Sequence, residues 1–423
     1  MAHILIVGGS TGREYAIVNA LAASPQTQIS VYQWAYNPFI EKKVSHYKVG
    51  NIRCIEEIVA FAKKLKVDFV IVGQGESIEN GIGDRLFEEH ISCVAPSKQL
   101  AQIEISKQFS LDLINKVAPQ ILPEYKSFKV FDPNAIKNYI KTFDSKFVCK
   151  RDGAINSRGV FIYKNTENDI AECLQVCDEW IGNGKSIILE EFIEGKELSL
   201  TTFTDGKDFL HAPPTRMYKQ IFEKDQGENT SGMGAITTRK ILPFMTEQQL
   251  IVLQHLNEKV IKALQKFGNI PYKGALFGEF MLTPKNGIKF IEYNARFGNP
   301  CTINHLQLLE NDPAVFFEAL AYQKLGTYDW RWKPCCSLSA YAVPKGYPYS
   351  KENVGKEIDV TKMNTDIFYA LMNYSQQNTA CFSRLFAISF TGDNLRELNE
   401  KMNTGMSQCN GEIHWRKDIG IFI

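Results

Sequence analysis

Short apolar runs and helix-period stretches alternate through the first quarter of the chain. Ile4-Leu5-Ile6-Val7 is an apolar run ending in Gly8-Gly9, and a helical pattern follows it to Leu21. Residues 29–34 read as a second strand, 55–65 carry apolar positions at helical spacing, and 68–72 form an apolar run that stops at Gly73. Strands alternating with helices predict a parallel sheet covered on both faces. The pattern closes near Pro96.

Beyond it, residues 100–117 predict a helix whose end is punctuated by Pro119 and Pro123. Residues 147–151 and 160–163 are strand-like around a polar loop, 170–180 are helical, and 186–191 form another strand. That order predicts a small mobile lobe. Residues 198–203 and 275–282 continue a larger sheet, with a long helix at 248–267 between them and a strand at 289–293 after them. Past Trp330-Arg-Trp332 the chain turns to short strands. The expected organisation is a doubly wound α/β domain at 1–97, an α+β domain at 98–329 with a lid lobe at 120–187, and an α+β domain at 330–423.

Bulk composition narrows the function little but excludes some classes. The chain has 423 residues and 44% hydrophobic content, enough for several packed units. A formal net charge of +1 argues against a general nucleic-acid or membrane-surface binder. The ten cysteines are scattered, with no CxxC pair and no Cys/His set at zinc spacing, which predicts reduced thiols. The first residues lack the features of a signal peptide, and no apolar run reaches membrane-spanning length, so the expected location is the cytoplasm.

Candidate chemistry sits at the strand ends. Gly8-Gly9-Ser10-Thr11-Gly12 links a strand to a helix, where backbone amides can meet an anion; a structural turn reads equally well. Lys150 on a strand, followed by a polar loop to Arg158, can hold a triphosphate; a solvated hairpin is the plain alternative. Ile188-Leu-Glu-Glu-Phe-Ile-Glu-Gly-Lys-Glu197 ends an apolar strand in acids that could receive an adenine amino group and ribose hydroxyls. Glu279, and Glu292 with Asn294, interrupt two apolar strands joined at Asn286-Gly287, a hairpin signal. Residues 292 and 294 share one face, and three oxygen donors together suit Mg2+.

The order of these features resembles the ATP-grasp enzymes, and more narrowly the glycinamide ribonucleotide synthetases. The resemblance runs from Ile4 to Gly420. It rests on Gly12-Arg13-Glu14, Ser106-Lys107, Lys150 with Asp152-Gly153, Glu190-Glu191-Phe192, Asn229-Thr-Ser-Gly-Met-Gly-Ala235, Glu292-Tyr-Asn294, Arg296-Phe-Gly298, Gly346-Tyr-Pro348 and Arg416-Lys-Asp-Ile-Gly420. It implies an ATP-dependent carboxylate–amine ligase of purine biosynthesis that uses Mg2+, with Mn2+ as a substitute. Lys107, Lys150, Asp152 and Arg158 would serve the nucleotide phosphates and lid. Glu190 and Ile193 would hold adenine, and Glu197 the ribose. Lys219, Asn229 and Arg296 would face the reacting groups, and Glu279, Glu292 and Asn294 the metal. Gly9, Gly12, Arg13, Glu76 and Asn299 would line the amine-substrate side. Partners would be small molecules, glycine and phosphoribosylamine, with a monomer or small homo-oligomer expected.

The departures cluster on the acceptor side. The family writes Arg-Phe-Gly-Asp-Pro-Glu where this chain has Arg296-Phe-Gly-Asn299-Pro-Cys301. Thr11 and Tyr15 replace a Gly and a His, Gly73-Gln74-Gly75-Glu76 replaces a Gly-Pro-Glu, and Ser157-Arg158 replaces Gly-Lys. Phe382-Ser383-Arg384 stands for Gly-Gly-Arg, while Glu279 adds an acid where the family is apolar. Two other readings follow: a ligase of the same fold joining a different carboxylate and amine, and a weakly catalytic nucleotide-binding paralogue.

Overall fold

A computed structural model describes residues 2–144, 146–153, 159–163, 166–285, 287–374 and 378–421. Arg158, the rest of the polar loop at 154–157, and Asn286 of the hairpin signal lie outside the described residues. Contacts divide the chain into a larger unit of Met1–Ala101, Ser199–Phe277 and Asn294–Ile423, and a smaller one of Gln102–Leu198 and Gly278–Tyr293.

The larger unit begins with a five-stranded parallel sheet. Its order is His46–Val49, Thr27–Gln33, Ala2–Gly8, Phe69–Val72 and Ser92–Val94. Ile6 pairs with Val31 on one side and Ile71 on the other, and Ile4 to Val7 are fully buried. A strand buried on both faces reads as a continuous apolar run, which is why it was legible. Helix Gly12–Ala22 starts at a capping box: the Thr11 backbone N–H donates to Glu14 Oε2 at 3.0 Å, and the two side chains also bond.

The same unit holds an antiparallel sheet. Thr215–Phe222, Gln226–Thr237, Cys336–Pro344, Phe386–Gly392 and Ile367–Tyr369 lie side by side in that order. Residues 229–235 belong to the strand Gln226–Thr237. Gly227, Gly232 and Gly234 give the segment a turn-like composition, but pairing with Thr215–Phe222, and from Gly234 onward with Cys336–Pro344 as well, overrides it. The register shifts around Gln220, opposite Asn229. Residues 294–423 share this unit with 199–277 because Cys336–Pro344 continues the sheet from Gln226–Thr237, and with 1–101 through common packing. One core joins them, with Ile4, Val31, Phe203, Phe297, Phe317 and Tyr341 among its members.

Arg416 closes the far end. It is fully buried, donates to Asp418 at 2.9 and 2.7 Å and to Asp225 at 2.8 Å, and stacks on Tyr218. Arg216 stacks on Tyr218 too and bonds Asp225 at 3.0 Å. Removing one partner of a buried ion pair strands the other charge. Arg416→Met is therefore expected to destabilise the chain by roughly 3 kcal/mol or more, read from chemical denaturation.

The smaller unit contains the antiparallel sheet Tyr125–Phe128, Ile187–Glu191, Phe147–Arg151 and Val160–Ile162. Helices Pro133–Lys141 and Asp169–Gly182 contribute Ile136, Ile140, Cys173, Cys177 and Trp180 to its own core. Residues 278–293 bring in neighbouring stretches of the strands Gly274–Leu282 and Ile288–Asn294. The helix read at 100–117 is two helices, Gln102–Ile105 and Lys107–Val117. Ser106 separates them because its extended backbone and side chain cap the second, accepting from the Phe109 N–H at 3.2 Å.

Candidate active site

The smaller unit gathers the proposed nucleotide residues. Lys150, on Phe147–Arg151, is buried and forms an ion pair with Glu190 at 2.7 Å. Its Nζ also donates to the Ile291 carbonyl at 3.2 Å, on the strand that carries Glu292. Cross-strand register makes the pair possible: Val148 faces Glu190 and Lys150 faces Ile188. Lys107 is the first residue of its helix, and its Nζ donates to the Gly153 carbonyl at 2.8 Å. Burial holds the Lys107 ammonium below the ordinary lysine range, and the nearby Lys150 adds to that; the charges of Glu292, Asp152 and Glu190 oppose it. Two lysines and three carboxylates thus meet within electrostatic range. That alternation of sign can receive phosphates and their cation.

Asp152 has a second occupation. Its Oδ1 accepts the Lys107 N–H at 2.7 Å and the Gln108 N–H at 3.4 Å, and the Ser106 and Ser186 hydroxyls also reach its carboxylate. An acid at a helix N-terminus satisfies orphan amides. Asp152 therefore pins the start of the loop to the helix that presents Lys107. Ile193 and Glu197 are half-buried, in the turn and strand after Ile187–Glu191. Glu279 is buried on Gly274–Leu282, and Glu292 half-buried on Ile288–Asn294.

The larger unit gathers the acceptor-side residues. Arg13 is buried and donates to Glu14 Oε1, Gln74 Oε1 and the Phe297 carbonyl, each at 2.9 Å. It braces the Gly9–Gly12 turn against the segment following Asn294. Asn299 is held at both ends: the Tyr341 hydroxyl donates to its Oδ1 at 2.7 Å, and its Nδ2 donates to Thr11 Oγ1 at 3.3 Å. Arg384 donates to the Ser231 and Gly232 carbonyls and lies over the Tyr341 ring at 4.7 Å. Burial holds the Arg384 guanidinium below the ordinary arginine range, with Tyr341 and Tyr347 opposing and the charges of Arg13 and Arg296 adding to it. Arg296 donates to Asn294 Oδ1 at 2.9 Å. Lys219 and Asn229 sit half-buried on adjacent strands, and the Lys219 carbonyl accepts from Thr230 Oγ1 at 2.7 Å. Glu76 is half-buried in the short helix Gly75–Glu79.

Gln74, Tyr341 and Arg384 are the members that sequence reasoning did not single out. Gln74 stood in the glycine-rich run and Arg384 in a noted departure, but Tyr341 looked like one more apolar strand residue. Its only sequence signal was Gly12: a Cβ there would lie 2.3 Å from the Tyr341 hydroxyl.

The glycine-turned parallel domain, the lysine-bearing lobe and the acid-bearing strand pair define a protein of the ATP-grasp class. The family profile for the phosphoribosylglycinamide synthetase N domain matches residues 2–104, and that for its ATP-grasp (A) domain matches residues 105–302. The chain belongs to the phosphoribosylglycinamide synthetase family. It is 31% identical over 424 residues to a phosphoribosylamine–glycine ligase of Pyrococcus furiosus, covering 99% of this chain and 94% of that one. It is 32% identical over 421 residues to that of Methanoregula boonei, covering 99% and 96%. In fold it is similar to a phosphoribosylamine–glycine ligase of Thermotoga maritima, with a TM-score of 0.79 at 23% identity over 98% of this chain and 99% of that one. A biotin carboxylase of Campylobacter jejuni gives a TM-score of 0.72 at 14% identity over 99% and 94%. Among the described residues no helix is long and apolar enough to cross a membrane.

Proposed function

We propose that this chain is an ATP-dependent ligase that joins glycine to phosphoribosylamine, giving glycinamide ribonucleotide, ADP and phosphate in purine biosynthesis. The observation that carries this is the meeting of Lys107, Lys150, Glu190 and Glu292 in a chain that aligns end to end with ligases of that name.

Lys107 and Lys150 bind the nucleotide phosphates, Asp152 holds the helix that presents Lys107, and Arg158 adds a cation for the phosphates. Glu190 and the Ile193 backbone take adenine, and Glu197 the ribose. The donor set of Glu279, Glu292 and Asn294 fits a hard divalent cation, since all three offer oxygen. A Mg2+ ion held there would neutralise charge on the phosphate oxygens, and Mn2+, which also takes oxygen ligands, would serve in its place. A carboxylate oxygen of glycine attacks the terminal phosphorus and ADP leaves. The amine of the second substrate then attacks the acyl carbon, and phosphate leaves. No protein nucleophile is needed. Arg296, steadied by Asn294, meets the transferred phosphoryl charge, and Lys219 and Asn229 orient the reacting groups. The Gly9–Arg13 turn, Glu76 and the residues braced by Asn299 hold the ribose phosphate of the amine. Because Asn299 is tied to Tyr341 and Thr11, it shapes that wall.

The test is ADP release by the magnesium-loaded chain with glycine and freshly made phosphoribosylamine. Release that needs both substrates supports the reading. No release with both present overturns it, and release from another carboxylate–amine pair would move the chain to a different ligase activity. Gly12→Ala tests the acceptor side separately. The added methyl displaces buried Tyr341, so the KM for the amine should rise tenfold or more while the KM for ATP stays near its starting value.

A further inference from the structure

The core of the smaller unit holds three thiols that the ligase reaction does not use. Cys149 lies on Phe147–Arg151, and Cys173 and Cys177 lie one turn apart on the helix Asp169–Gly182. All three are fully buried. The Sγ atoms of Cys149 and Cys177 are 3.6 Å apart, those of Cys173 and Cys177 are 3.8 Å apart, and all three lie within 4.8 Å of one another. Among the described residues this is the one group of three or more His, Cys, Asp or Glu side chains that converges so closely. No zinc spacing announced it, because the third sulfur arrives from a strand 24 positions before the helical pair.

Cysteine packs as a small hydrophobe, and Phe128, Ile136, Ile140, Phe147 and Leu189 surround the group. Packing asks only for volume, however, and does not aim three sulfurs at one point. Thiolates around a tetrahedral or trigonal ion, with metal–sulfur bonds of about 2.3 Å, stand about 3.8–4.0 Å apart, close to the spacing seen. A disulfide would join two of the sulfurs and leave the third unexplained.

We propose that Cys149, Cys173 and Cys177 form a closed three-sulfur site for one thiophilic divalent cation of the Zn2+ type. On binding, two S–H bonds break, their protons pass to solvent, and two sulfur–metal bonds form. The third sulfur coordinates with its proton retained. Two negative thiolates then balance one dication, so the complex is neutral, as an apolar core requires. The ion ties the helix Asp169–Gly182 to the strand whose next residue is Lys150, which stiffens the lobe behind the Lys150–Glu190 pair.

The test uses the full chain, reduced and without chelator, with Cd2+ as an optical probe and Zn2+ as the stabilising ion. Long incubation with Cd2+ should raise a sulfur-to-metal charge-transfer band that saturates at one equivalent. Zn2+ should raise the melting temperature of the same protein. Cys177→Ala should lose both effects. Cys149→Val, which keeps volume in the core, guards against a variant that fails to fold and should lose them too. Cys409→Ala should keep them. Absence of the band in folded wild-type protein overturns the site, as does a band that survives in folded C177A or C149V.

Discussion

Replacing Glu292 with alanine is expected to remove turnover and leave the chain folded. The side chain is half-buried near the end of the strand Ile288–Asn294, so it carries little of the core. Its charge does act locally: it supports the protonated form of Lys107 against the cost of burial. The variant therefore loses an oxygen donor for the cation and weakens a phosphate-binding lysine in one step. Loss of a single preorganised charge-stabilising group costs about 10²–10³ in rate, and here two are affected. ADP release at saturating Mg2+ and ATP should fall by at least that factor. Glu292→Asp keeps a carboxylate and should recover part of the rate, while Glu292→Gln, of the same shape, should not. Melting curves for all three should stay close to wild type. Wild-type turnover in the alanine variant would remove Glu292 from the metal set.

The chain discloses its fold better than its site, for a physical reason. Strands buried on both faces, such as Ala2–Gly8 and Phe69–Val72, must be apolar throughout, so their composition alone marks them. The long helix Glu247–Gly268 announces itself through its period and through the Thr246–Gln249 capping box. The strand Gln226–Thr237 hides behind its glycines, because tertiary pairing fixes it and local preference does not. The proposed nucleotide residues could be picked out in the sequence because lysines and acids stand out against apolar strands. The acceptor half was less so. Arg13, with the look of a phosphate ligand, spends its guanidinium on Glu14, Gln74 and Phe297, and Tyr341 shows its part only once Asn299 is seen beside it. Asp152 likewise reads as a lid residue but caps a helix. Spacing along a chain identifies residue types; it does not say which hydrogen bonds they have already spent.

Lys150→Met is the second substitution with a large expected effect, and a double variant makes it decisive. Lys150 and Glu190 are both buried and lie 2.7 Å apart. Methionine keeps the aliphatic stem but leaves Glu190 without its nearest cation. Breaking a buried pair from one side costs roughly 3 kcal/mol, so the single variant should melt earlier and release ADP at least about a hundredfold more slowly. Those two losses cannot be separated in one protein. Adding Glu190→Gln removes the stranded charge, and replacing both members of a buried pair is often close to neutral for stability. The double variant should therefore regain the melting temperature but stay about a hundredfold slow, with a raised KM for ATP. The loss then lies in the nucleotide site, where Lys150 and Glu190 both stand, and not in the stability of the lobe. If stability and turnover return together, the pair is a structural strut, and the phosphate-binding part assigned to Lys150 passes to Lys107 alone.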